Sequence, residues 1–273
     1  TQTVHDIPVL AEWTVEALAS VLREDARVIY LSTNSRALTE DGARTLTRQI
    51  AQNLSAASRQ TGRPFVVVSR SDSTLRGHYP AEIEALAEVL GADCPFDGHL
   101  LVPYFYAGGR FTLCGVHYVL EGEWLVPVAE TEFSRDAAFG YHYSDLPHWV
   151  EEKSGGRWRA DDVVVLDLDH IRREGPEWVV QRLLMVEGGQ PVAVDSVSDA
   201  DLSVVTLGLL RAEAAGKRFL YRTAASFVAV RGAIPPRDLL SADEMHPLAI
   251  SAPGGLVVIG SYVKRSSEQL EHA

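Results

Sequence analysis

Phe65-Val66-Val67-Val68-Ser69-Arg70-Ser71-Asp72-Ser73-Thr74-Leu75-Arg76-Gly77-His78-Tyr79-Pro80 passes from an apolar β-branched run, through a polar stretch, to a proline that opens a helical pattern. Residues 65–68 read as a buried strand, and Ile83, Leu86, Ala87 and Leu90 recur at helical spacing behind Pro80. Pro80 suits a first-turn position, Glu82 and Glu84 lie near the positive end of the helix, and Gly91 supplies its stop. Strand, polar loop and helix in direct succession form the repeating unit of a parallel α/β sheet.

The same texture extends in both directions. Residues 28–31, 100–102, 163–166, 192–194, 219–221 and 256–259 are further short apolar runs that read as buried strands. Amphipathic patterns lie between many of them, at Trp13, Ala17, Leu18, Val21 and Leu22, at Leu46, Ile50 and Leu54, at Trp178, Val179, Leu183 and Leu184, and at Leu202, Val205, Leu209 and Leu210. From Phe111 to Val128 the pattern changes to alternation about Glu121-Gly122-Glu123, which predicts a β-hairpin. The expected fold is a three-layer α/β domain, a mostly parallel sheet with helices on both faces and an inserted β-hairpin. The helix near Glu12–Leu22 shows no strand before it, and the chain stops about two helical turns after Gly260-Ser261, so a piece is expected to be missing at each end.

With 273 residues, 46% hydrophobic and 23% charged, the chain has an ordinary globular composition and can bury a core without staples. The net charge of −12 repels nucleic acid and anionic membrane over most of the surface, which favours a small-molecule ligand. Cys94 and Cys114 stand alone without a C-x-x-C spacing, so a reducing, cytoplasmic setting is expected. No apolar run approaches the 18 or so residues of a membrane span, and Thr1-Gln2-Thr3 starts no signal-peptide pattern.

Ligands of open α/β sheets collect beyond the carboxyl ends of the strands, where helix N-termini attract anions. Residues 70–78 occupy such a position. Arg70 or Arg76 can fork onto a carboxylate or phosphate, Ser71, Ser73 and Thr74 can bond sugar hydroxyls, and Asp72 can accept a hydroxyl proton. Gly77 would permit close backbone approach. A solvated loop with an Asp–Arg pair and a helix cap fits the same composition. Ser32-Thr33-Asn34-Ser35-Arg36 is a second strand-end loop, and it faces the same crevice if the two strands are neighbours. Arg36 is then a carboxylate clamp or, alternatively, a solvated residue before the cap at Thr39. In Gly108-Gly109-Arg110 the glycines are read as the turn into the hairpin. Asp167, Asp169 and His170 resemble a metal cluster, but the two aspartates are read as polar residues ending a strand on alternating sides, and no metal site is assigned. Walker A and protein-kinase signatures are absent, and the Gly pairs at 108–109, 155–156, 188–189 and 254–255 lack a phosphate-loop context.

Arg70 to His78 followed by Pro80-Ala81-Glu82-Ile83-Glu84-Ala85-Leu86 resembles the signature of the four-carbon acid sugar kinase family, usually Lys-Thr-Asp-Ser-Thr-Leu-Arg-Gly-Asn before a similar helix. The resemblance continues through Thr33-Asn34-Ser35-Arg36, Gly109-Arg110, Val116-His117-Tyr118-Val119, Glu130-Thr131-Glu132-Phe133-Ser134-Arg135-Asp136, residues 195–202, Gly260-Ser261 and Glu268-Gln269-Leu270. It therefore covers nearly the whole chain. It implies an ATP-dependent enzyme that phosphorylates the terminal hydroxyl of erythronate, threonate or an oxo-tetronate. An N-terminal domain would hold the acid sugar and a C-terminal domain the nucleotide.

On that resemblance, residues 1–255 form the acid-sugar-binding domain, and 256–273 begin the junction to a nucleotide domain absent from the chain. An upstream Asp-Asp-x-Thr-Gly segment would also be absent, and the fragment alone would be inactive. The substrate set becomes Arg36, Arg70, Ser71, Asp72, Ser73, Thr74, Arg76, Gly77, His78 and Arg110. Asp72, or an aspartate of the missing upstream segment, orients or deprotonates the attacking hydroxyl, and Ser261 contacts ATP. ATP and Mg²⁺ would be bound mainly by the missing domain, and homodimerisation stays open. Arg70 replaces the usual Lys and His78 the usual Asn, which bears on substrate preference. The rival readings are a non-catalytic organic-acid-binding module and, more weakly, a metal-dependent hydrolase built on Asp167, Asp169 and His170.

Overall fold

Strands buried on both faces need cover on both sides, and the central runs of this chain obtain it. The computed structural model describes residues 7–235 and 264–272. Two compact units are distinguished, Thr1–Pro236 and Arg237–Ala273. The second contributes the helix Lys264–His272. The expected strand at 256–259, the domain boundary after residue 255, and Ser261 lie outside the described residues.

In the first unit, β1 (Val9–Leu10) and β2 (Tyr30–Leu31) form a small parallel pair that flanks α1 (Val15–Leu22). Five parallel strands make the main sheet: β3 (Ser69–Arg70), β4 (Gly98–Val102), β8 (Val164–Leu166), β9 (Gln190–Val194) and β10 (Phe219–Thr223), in the order β3-β10-β4-β9-β8. Between β4 and β8 the chain makes an antiparallel sheet of β5 (Arg110–Leu113), β6 (Val116–Glu121) and β7 (Trp124–Pro127). The remaining helices are α2 (Glu40–Thr61), α3 (Ala81–Leu90), α4 (Leu146–Lys153), α5 (Leu168–Glu174), α6 (Pro176–Leu184), α7 (Asp199–Ala214) and α8 (Ala225–Arg231). None of the described helices is long and apolar enough to cross a membrane.

Strand alternation divides the core in two. Leu100, Val102, Val192, Val194 and Tyr221 point into a cluster with Ile171, Val179, Leu183, Leu202 and Phe227 from α5 to α8. Their neighbours Leu101, Ala193 and Leu220 point the other way, onto Ile83 and Leu86 of α3 and Leu146 and Trp149 of α4. The three-layer α/β architecture with an antiparallel insertion is therefore as expected.

Several local expectations are corrected. Residues 65–68 lie outside any strand, and only Ser69 and Arg70 pair, with β10. β3 is the sheet's edge, where Val66 stays 55% exposed, so an apolar run there need not enter a ladder. β2 likewise pairs only at Tyr30 and Leu31, and a strand, β1, does precede the first helix. The hairpin gains a third strand through a turn at Cys114 and Gly115, both at positive φ (53° and 73°). Asp167 and Asp169 end no strand: Asp167 caps α5 by accepting from the His170 N–H, and Asp169 pairs with Arg173 at 2.9 Å.

Candidate functional site

The polar stretch after β3 is fixed from beneath. Ser71 N–H continues the sheet ladder to Thr223 O at 2.9 Å. The next carbonyls are then taken one after another by buried side chains. His117 Nε2 donates to Ser73 O at 2.7 Å, the Tyr141 hydroxyl to Thr74 O at 2.7 Å, and Arg222 Nη2 to Leu75 O and Arg76 O at 3.2 and 3.0 Å. Leu75 (φ 66°) and Gly77 (φ 117°) adopt the left-handed region that this path demands. Four consecutive carbonyls turned inward make the loop a preorganised platform.

Two buried histidines brace this region in defined tautomers. Because Ser73 O can only accept, His117 carries its proton on Nε2, and Nδ1 receives the Thr112 hydroxyl at 2.9 Å. His99 does the reverse, donating from Nδ1 to Gly189 O at 3.1 Å and accepting the Tyr79 hydroxyl on Nε2 at 2.9 Å. Burial pushes both imidazoles down to about 4. The unfolded chain binds these protons near pH 6.5, so between pH 6.5 and 4 it holds more protons than the native state and stability is lost as the pH is lowered. Denaturant unfolding at pH 7, 5.5 and 4 is expected to show a loss on the order of 2 kcal/mol per histidine. A stability flat across that range would contradict the neutral, buried assignment.

Above the platform lies a cluster of two guanidiniums and two carboxylates. Asp72 accepts from Arg76 Nε at 2.9 Å and from the Thr74 hydroxyl, and Arg36 Nη1 stands 3.5 Å away. Asp136 lies 3.5 Å from Arg76 Nη1 and 3.9 Å from Arg36 Nη2, while its Oδ1 receives the Ala138 and Phe139 N–H groups at 3.0 and 3.1 Å. Burial would raise the Asp72 carboxyl, but the hydrogen bonds from Arg76 and Thr74 and the charges of Arg76 and Arg36 outweigh it and hold it below its ordinary value. Such a carboxylate is a weak base and a good hydrogen-bond acceptor. Phe133 stacks under Arg76 and Arg110 at 4.9 and 5.3 Å, and the Phe139 ring meets His78 edge-on at 4.9 Å.

A pocket of about 500 Å³ opens beside the cluster, lined by Arg36, Thr39, His78, Phe139, Glu152 and Lys153 among others. The residues preceding α2 and α3 both border it, which brings two helix starts to one cavity. The loops carrying Arg36 and Asp72 meet as expected, although their strands β2 and β3 are not neighbours; His78 Nε2 reaching Ser35 O at 3.1 Å joins them instead.

Of the expected set, Arg36, Gly77 and His78 line the pocket, and Asp72, Thr74 and Arg76 form the adjoining cluster. Ser71 and Ser73 belong to the anchored loop, and Arg110 lies beside Phe133 with Nη1 3.4 Å from Gly109 O. Arg70 is exposed, and its charge is felt by the Tyr30 phenol. Asp136, Phe139 and Lys153 were not anticipated as site residues, although the segment ending at Asp136 carried part of the resemblance. Lys153 closes an unanticipated helix and gave no signal.

Gly155-Gly156 and Gly188-Gly189 make positive-φ turns after α4 and before β9, and Gly108-Gly109 turns into β5. None opens a helix. The described residues thus do not fit a phosphate loop for ATP, and they hold no group of three or more His, Cys, Asp or Glu suited to a metal.

The chain belongs to the family of sugar-binding N-terminal domains, which matches it over residues 1–231, the N-terminal part of four-carbon acid sugar kinases that its motifs resemble. It is 33% identical to a D-erythronate kinase of Heliobacterium modesticaldum over 127 residues, 46% of this chain and 26% of that protein. Among solved structures it is similar to a Bordetella bronchiseptica protein described as a domain of unknown function, crystallised with citrate as a domain-swapped dimer. That match has a TM-score of 0.61 and 23% identity, and covers 83% of this chain and 50% of that one. A Haemophilus influenzae protein matches with a TM-score of 0.59 and 15% identity over 83% of this chain and 55% of its own. The chain thus spans about half the length of these structures.

Proposed function

We propose that the chain is the substrate domain of an ATP-dependent kinase that phosphorylates the terminal hydroxyl of a four-carbon acid sugar. The observation that carries this reading is the loop whose four inward carbonyls hold Asp72 and Arg76 beside a pocket bordered by Arg36. The name of the Heliobacterium relative, a D-erythronate kinase, agrees with it. In this reading Arg36 and the anchored loop bind the acid sugar. Asp72, too weakly basic to take a proton early, orients the attacking hydroxyl by accepting its hydrogen bond. Most of the acceleration then comes from positioning. ATP and Mg²⁺ would be held mainly by a separate nucleotide-binding domain, with Ser261 as a contact to ATP near the junction to it.

Calorimetric titration with erythronate, threonate, their oxo forms and unrelated organic acids tests the proposal. A tetronic acid is expected to bind, and Arg36→Ala to weaken it at least about tenfold through the release of Asp72 beside the pocket. Binding of unrelated acids such as citrate, with no tetronic acid bound, would overturn the kinase reading in favour of a non-catalytic organic-acid module.

A further inference from the structure

The two cations of the cluster above the platform are already matched by carboxylates, and Arg222 beneath it, 4% exposed, is committed to the carbonyls of Leu75 and Arg76. Arg36 and Arg76 each approach both Asp72 and Asp136, so the two guanidiniums and two carboxylates balance in formal charge. An incoming carboxylate there competes with two resident ones.

Lys153 differs. It is the last residue of α4 and lines the same pocket as Arg36 and His78. Its ammonium donates to Gly140 O at 3.1 Å, and among the described residues it forms no ion pair within 4.0 Å. The acids that share the pocket are engaged elsewhere. Glu152 accepts from His142 N at 2.9 Å and faces His142 Nδ1 at 2.8 Å, and Glu40 lies 3.8 Å from Arg44. An ammonium has three donors, and one carbonyl does not satisfy them. Lys153 is half-buried, and its burial together with the charge of Arg222 lowers its pKa despite the opposing influence of Glu152, Glu40 and Asp136. Desolvation is thus only partly compensated in the protein alone.

We infer that Lys153, and not Arg36, is the principal anchor for the substrate's carboxylate, and that the pocket takes a short hydroxy acid with its charged end at the Lys153 ammonium. This inference rests on the acid-binding reading given above. The hydroxyl-bearing end of the ligand is then left to the neutral-sum cluster of Asp72, Asp136, Arg36 and Arg76, whose carboxylates accept from hydroxyls without the repulsion that a second anion would meet. Arg36 becomes a positioning residue that acts through Asp72.

The test compares erythronate or threonate with the corresponding neutral amide, titrated into the whole chain by calorimetry. The wild type is expected to prefer the acid. Lys153→Met should erase most of that preference, a loss of about ten- to a hundredfold in acid affinity with little change for the amide, as expected for one charge-assisted contact. Lys153→Arg should restore part of it. Arg36→Met should weaken acid and amide together, because it disturbs Asp72. If Lys153→Met keeps the wild-type preference, the inference is wrong while the acid-sugar reading stands. If the wild type binds neither tetronic acids nor simple carboxylates such as citrate and malate, both fall. Circular dichroism of Lys153→Met separates a folding defect from lost recognition, and Lys153→Arg carries the test if the methionine variant is unfolded.

Discussion

Replacing Asp195 by alanine is expected to cost about 4 kcal/mol of stability, because three backbone donors, two of them buried, lose their acceptor together. Asp195 follows β9 directly at 1% exposure and receives the N–H groups of Cys114 and Gly115 at 2.8 and 2.9 Å and of Leu168 at 3.1 Å. One carboxylate thus ties the main sheet, the β5–β6 turn and the first residue of α5. Burial pushes this carboxyl up, and the three backbone donors offset only part of the shift. Its role is therefore to fix the insertion in place rather than to contribute favourable charge. Denaturant unfolding should show the loss, and amide exchange at Cys114, Gly115 and Leu168 should accelerate ahead of the sheet. Asp195→Asn should fall between, since it retains one acceptor oxygen. An alanine variant within about 1 kcal/mol of wild type would show that water can replace the carboxylate.

Arg222→Met is expected to cost about 3 kcal/mol and to reduce acid binding by more than about a hundredfold. Arg222 is 4% exposed on β10, stacked on Trp149 and Tyr79 with ring centroids 4.9 and 5.6 Å from its Cζ. Among the described residues no carboxylate lies within ion-pair distance of it, and its recorded side-chain hydrogen bonds go to the carbonyls of Leu75 and Arg76. Methionine fills much of the volume but leaves two carbonyls unpaired beneath a backbone held at positive φ. Lysine keeps the charge yet presents a point donor where a fork spans two acceptors, so Arg222→Lys should recover stability better than binding. Unfolding midpoints and calorimetry separate the two effects. Wild-type acid affinity in a folded Arg222→Met protein would show that the loop holds its shape without the clamp.

How much of this could be read from the chain depended on where each segment lies. Central strands β4, β9 and β10 are buried on both faces, so unbroken apolar runs marked them; β3 lies at an edge, and its run at 65–68 overstated it. The anchored loop was visible because its chemistry is contiguous, from Ser71 to His78. Asp136 and Lys153 come to the site through a 3₁₀ turn and a short helix whose packing, not whose pattern, brings them there. Arg222 sits one residue beyond the run at 219–221, where a charge reads as the end of a strand. Only the ladder with β4, which continues to Thr223 opposite Val102, reveals that the strand goes on and buries it.

The order β3-β10-β4 places the last strand of the sheet between two of the earliest. During synthesis β3 and the β4 edge that faces it must wait unpaired until residue 223 has left the ribosome, and the loop at 71–77 lacks its Arg222 clamp until then. A nascent chain halted before Phe219 could already pair β4, β9 and β8 but would expose β3 and one edge of β4, so the loop beside the pocket is the part of this domain completed last.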